Sequence, residues 1–79
     1  MDYKEWGAEY LEEAGRLKNR VDMLRHGFAG LKDEEAIRLS RRIAMLYGMY
    51  LECLHTGRLL AERGRADEQK KEGGRNAEL

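Results

Sequence analysis

Glu52-Cys53-Leu54-His55 sets a carboxylate and an imidazole three residues apart. On a helix, positions i and i+3 share a face. Bundle proteins that hold two metal ions use such a Glu-x-x-His together with a glutamate from another helix. Here Glu9, Glu12 or Glu13 would supply that glutamate if the first part of the chain folds back to the level of Glu52. Glu52 and His55 are therefore the metal-ligand candidates of a ferritin-like di-metal hairpin. The plainer reading is a solvated glutamate and a half-buried or surface histidine, because this spacing recurs by chance in helices and the pair points away from the apolar seam described below. No metal ligand set is assigned. Cys53 and His55 are separated by about 200° around a helix, which excludes a nucleophile–base dyad. His26 falls too far along the chain's first half to join His55. No glycine-rich phosphate loop or serine elbow is present, and a chain of two helices offers little room for a concave pocket. The sequence reads as non-enzymatic, with no catalytic residue and no cofactor-binding residue.

The charges suggest a second kind of chemistry. The 79 residues carry 15 basic and 15 acidic side chains, a formal net charge of zero. That balance argues against a dedicated nucleic-acid binder, whose affinity rests on neutralising phosphates. The distribution is uneven. Residues 1–15 hold Lys4 against five acids (Asp2, Glu5, Glu9, Glu12, Glu13), whereas residues 16–42 hold eight basic and four acidic residues. Arg38, Arg41 and Arg42, with Arg16, Lys18, Arg20 and Arg25, would make one end basic. Such a patch can bind an acidic surface, and the acidic start could imitate a phosphate track. A small inhibitor or regulator of a nucleic-acid-handling protein is the alternative function this raises. Solvated helix faces look the same.

These side chains have to be positioned by a single small domain, since 79 residues allow no more than one. A chain so short buries too little surface to be robust without help from oligomerisation, metal or disulfides. Cys53 is the only cysteine, so no internal disulfide can form. A buried free thiol in a reducing cytoplasm is the expectation. The start, Met1–Glu5, has neither a basic nor an apolar region, so no signal peptide is expected. The longest uncharged run, nine residues from Ile43 to Leu51, is far short of the roughly 20 apolar residues of a membrane span.

The chain has no proline, and its apolar residues recur in heptads. One column is Tyr3, Tyr10, Leu17, Leu24, Leu31; the other is Gly7, Ala14, Val21, Phe28. This 3–4 spacing predicts a helix over about 2–27 with a coiled-coil-like seam. Its small residues lie at the start, so a partner helix should approach most closely there. Asp2 and Glu5 form a candidate capping box. Gly27 reads as the helix stop, with Arg25 and His26 in the last turn. Asp33 reads as the next N-cap, followed by Glu34 and Glu35. A second helix is expected over about 33–63, with the seam Ala36, Leu39, Ile43, Leu46, Tyr50, Cys53, Gly57, Leu60 and with Gly64 as its stop. A connection of about five residues favours an antiparallel hairpin, which brings the acidic start near Arg58, Arg63 and Arg65. Residues 1–64 would form the hairpin. Residues 65–79 read as a polar tail, partly helical or disordered, with Gly73-Gly74 ending any helix.

Ile43–Leu51 holds more apolar side chains than one face can use. Ile43, Leu46, Tyr47 and Tyr50 belong to the seam. Met45, Gly48, Met49 and Leu51 point elsewhere, and Leu59 continues their stripe. Ala44 and Gly48, small residues four apart, would let another helix come close. This second stripe is the candidate interface, most simply of a homodimer forming a four-helix bundle, with a different protein partner as the other possibility.

Leu46-Tyr47-Gly48-Met49-Tyr50-Leu51-Glu52-Cys53, followed by His55-Thr56-Gly57, resembles short, uncharacterised two-helix proteins from anaerobic gut bacteria and their mobile elements. The resemblance implies a small cytosolic protein, and for products of mobile elements the blocking or regulation of a host protein. It transfers no functional residue. The fold class expected is all-α, an antiparallel two-helix hairpin that dimerises, working as a self-associating protein-interaction module.

Overall fold

The computed structural model describes the backbone of residues 2–78 and the side chains of residues 2–70. The protein is an all-α antiparallel hairpin. Helix α1 spans Tyr3–Arg25, a 3-10 turn covers His26–Phe28, and helix α2 spans Asp33–Glu78. The molecule is a rod of 70 × 15 × 14 Å.

Helix α1 starts where an acid can cap it. The Asp2 carboxylate accepts from the N–H groups of Lys4 and Glu5 at 3.1 and 3.2 Å, satisfying two donors that the first turn leaves without helical partners. The Asp2 carbonyl accepts from Trp6 N–H. The connection to α2 is a type II β-turn. Ala29 has φ −61° and ψ 123°, Gly30 has φ 83°, and Leu31 N–H donates to the Phe28 carbonyl at 3.1 Å. The third position of such a turn needs positive φ, so Gly30 is the residue the turn depends on. Gly27, the expected stop, sits inside the 3-10 turn. At the start of α2, the Lys32 carbonyl accepts from Ala36 N–H, so Lys32 takes the cap position expected of Asp33. Asp33, Glu34 and Glu35 fill the first turn, where the helix dipole favours acids.

The two seams meet as the heptads predict. Leu17, Val21, Ile43 and Leu46 form the buried centre, with Leu24, Leu39, Tyr47, Tyr50 and Cys53 packed around it. Ala14 is buried beside them. Toward the far end the seam is built from glycines. A Cβ on Gly7 would stand 2.9 Å from both the Ala61 nitrogen and the Gly57 oxygen, and one on Gly57 would lie 3.1 Å from the Gly7 oxygen. The backbones therefore touch at the start of α1, as the run of small residues there requires.

Gly64 does not end α2. It continues the Gly57 column one heptad on, and a Cβ there would lie 3.0 Å from the Lys4 nitrogen. It is a place of close approach within a continuous helix. Nor do Gly73 and Gly74 break α2, which runs to Glu78. A glycine inside a helix costs only about 1 kcal/mol relative to alanine, and the stretch around Gly64 consists of good helix formers. Of the polar tail expected over 65–79, Leu79 lies outside the described residues.

Candidate interaction face

The residues expected at an interface are on the surface. Met45 is 60% exposed, Leu59 54%, Met49 46% and Leu51 45%. A Cβ on Gly48 would meet nothing within 4 Å, so Gly48 is an open notch in the surface of α2. At about 100° per residue, Met45, Gly48 and Leu59 lie roughly 200° around α2 from the row Ile43, Leu46, Tyr50, Gly57. They thus face away from α1. Leu51 lies between this outward row and the flank of the hairpin, and Met49 lies on the opposite flank. Ile37, 52% exposed, belongs to the outward side too. Its signal in the sequence is the step of seven from Ile37 to Ala44 and on to Leu51.

Arg16, Lys18 and Arg25 among the charged candidates are engaged within the hairpin, whereas Arg20, Arg38, Arg41 and Arg42 enter no ion pair among the described residues. Arg16 donates from Nε and Nη2 to Glu13 Oε2 at 3.0 and 2.8 Å and from Nη1 to Glu12 at 3.3 Å. The Glu13 hydrogen bond raises the Arg16 pKa above its ordinary value. Lys18 Nζ donates to both Asp22 oxygens at 2.8 and 2.9 Å, and this hydrogen bond holds the Asp22 carboxyl below the usual aspartate value. Arg25 sits 5.7 Å over the Tyr47 ring and Arg63 5.1 Å over the Tyr3 ring. The basic end of α2 therefore meets an aromatic of α1, whereas the sequence led to an expected meeting with its acids. The ion pair between the helices among the described residues has the opposite sense, Lys4 to Glu68 at 2.9 Å. The polarity argument for the hairpin reaches the right topology through contacts that do not form.

Glu52 and His55 are both exposed on α2. Among the described residues, no three of His, Cys, Asp and Glu gather closely enough to hold a metal ion. Of the glutamates that would complete a set (Glu9, Glu12 and Glu13), Glu12 and Glu13 are turned to Arg16. Cys53 is a free, half-buried thiol against the core. A groove of roughly 740 Å³ opens where the start of α1 crosses α2, lined by Asp2, Tyr3, Lys4, Gly64, Asp67 and Glu68 among others. The Lys4–Glu68 pair lies across it. No described helix is long and apolar enough to cross a membrane.

Comparison with family models, with curated proteins and with solved structures gave no match. The function is therefore read from the surface of α2.

Proposed function

We propose that this protein is a non-enzymatic self-association module whose outward α2 face joins two copies into a four-helix assembly. The observation that carries the reading is the exposure of Met45, Met49, Leu51 and Leu59 on the helix whose other side already holds the hairpin together. The surface area points the same way. The chain exposes 6552 Å², against about 4,900 Å² for a compact protein of this mass. The excess is about twice the roughly 800 Å² per partner of a standard interface. The buried core consists of Ala14, Leu17, Val21, Ile43 and Leu46, and so small a core gains from a second copy. The half-buried free thiol of Cys53 suits a reducing compartment, which makes the cytoplasm the place of action in this reading.

Sedimentation equilibrium at tens of micromolar tests the proposal, with a dimer as the expected result. Met45→Glu and Gly48→Glu each place a carboxylate in the joint. Both should give monomers with the helical circular dichroism intact. A wild-type monomer at that concentration would overturn the reading.

A further inference from the structure

We infer that the second copy docks α2 against α2 in one antiparallel register, with Met45 of each chain seated on Gly48 of the other and Arg41 of each facing Glu52 of the other. This rests on the self-association proposed above and specifies its geometry. Arg41, Met45, Gly48, Glu52, His55 and Leu59 follow one another at spacings of 4, 3, 4, 3 and 4. That is a heptad row, and it lies on the side of α2 turned from α1. All six are exposed. Arg41 and Glu52 stand about 16 Å apart along the helix, too far to neutralise each other within one chain. Neither takes part in an ion pair among the described residues.

A two-fold interface is self-complementary: if one residue meets another, the reverse contact also forms. A parallel pairing sets Arg41 on Arg41 and Glu52 on Glu52, which like charges oppose. Antiparallel registers that lay this row on itself differ by whole heptads. In one, the two-fold axis falls between Leu46 and Tyr47. There Arg41 faces Glu52 and the Met45 side chain enters the notch at Gly48. Met45 at the centre thus meets a residue with no side chain, and each central charge meets its opposite. His55 faces Arg38, and Leu59 falls at the edge opposite Glu34. Sliding one heptad one way sets Glu34 on Glu52 and Arg41 on Met45. Sliding the other way sets Glu52 into the Gly48 notch and Met45 on His55. A further heptad seats Leu59 on Gly48 but turns Met45 onto Glu62. Only the first register satisfies both packing and charge, and charge complementarity of this kind fixes register and partner choice. The four helices then lie in a row, α1–α2–α2–α1, because the seam row and the outward row of α2 are on opposite sides of it. A square bundle would need them about a quarter-turn apart.

The test is a charge exchange on the full chain, read by sedimentation. Arg41→Glu and Glu52→Arg should each weaken the dimer about tenfold or more, since each sets like charges face to face. The double variant R41E/E52R should return to within about threefold of wild type. A dimer indifferent to the single changes, or one the double variant fails to restore, would overturn the register while self-association stands. A wild-type monomer would overturn both. Circular dichroism of each variant confirms that the hairpin is formed.

Discussion

The glycines show how one residue type carries opposite instructions. Gly7 lies where the two backbones touch, and its missing Cβ is what allows the touch. Gly15, eight residues on and off the seam, has nothing within 4 Å of a Cβ. Gly7→Ala should therefore destabilise the hairpin by about 1–3 kcal/mol, since the clash is with backbone that cannot yield cheaply. Gly15→Ala should stabilise it by about 0.5–1 kcal/mol through helix propensity alone. Thermal melts followed by circular dichroism check both, and a change of about 1 kcal/mol moves the midpoint by several degrees. Equal midpoints for the two variants would mean that the contact at Gly7 is not tight. The sequence alone separates some glycines from others. Gly7 and Gly57 are legible as seam residues from their heptad positions. Gly64 occupies the next position of the same column, yet composition makes it look like a stop, because a glycine after a charged turn has the local signature of a C-cap. Only the neighbour across the seam, Lys4, distinguishes the two meanings. The same limit hides Gly30, since both Gly27 and Gly30 fit the connection and the turn type alone decides between them.

The helices themselves were legible because their pattern is repetitive and their caps are local. Every residue of the expected seams that is buried, from Gly7 to Gly57, is buried on the side the heptads assign. What could not be read is what depends on the partner helix: where α2 ends, and which charges meet. Lys4 pairs with Glu68 because the seam carries α2 past Gly64, and a boundary set at residue 63 leaves Glu68 out of reach. The candidate interface is legible only as a surplus of apolar residues beyond the seam, and the structure leaves Met45, Met49, Leu51 and Leu59 exposed. Neighbouring residues of α2 differ in burial, and the difference can be measured. Leu46 is 9% exposed and packs with Leu17 and Val21 in the core. Leu46→Ala should cost about 2–3 kcal/mol, the low end for a leucine because its site is near the edge of a small core. Met45→Ala should cost under about 0.5 kcal/mol in the isolated hairpin, as surface changes do. Urea denaturation at a concentration low enough to keep the chain monomeric separates them. At high concentration the Met45 variant should lose stability as well, because the dimer no longer adds its share. A Met45 effect independent of concentration would place that side chain in the core of the hairpin.

At the scale of the molecule, length is the observable that joins the fold to the proposed assembly. The radius of gyration of 19.3 Å far exceeds the roughly 12 Å of a compact domain of this size, because α2 alone sets the long dimension. Two such rods can pair flush or displaced, and the register decides which. The middle of α2 falls near residue 55, whereas the proposed two-fold axis lies between Leu46 and Tyr47. The two helices are then displaced by about 18 residues, some 27 Å at 1.5 Å per residue. Their C-terminal ends point in opposite directions, and each overhangs the start of the other. The monomer is 70 Å long, so a dimer in this register should reach about 95 Å. A parallel dimer stays near the monomer's length, and the register that seats Leu59 on Gly48 lengthens it by only about 6 Å. Small-angle X-ray scattering at tens of micromolar gives mass and maximum dimension from one sample. A dimeric mass with a maximum dimension near 95 Å is the expected result. A dimeric mass at 70–76 Å would mean that the copies pair nearly flush, and the Arg41–Glu52 contact could not form. Because the overhang follows from the axis position and the helix length alone, it tests the register independently of any substitution.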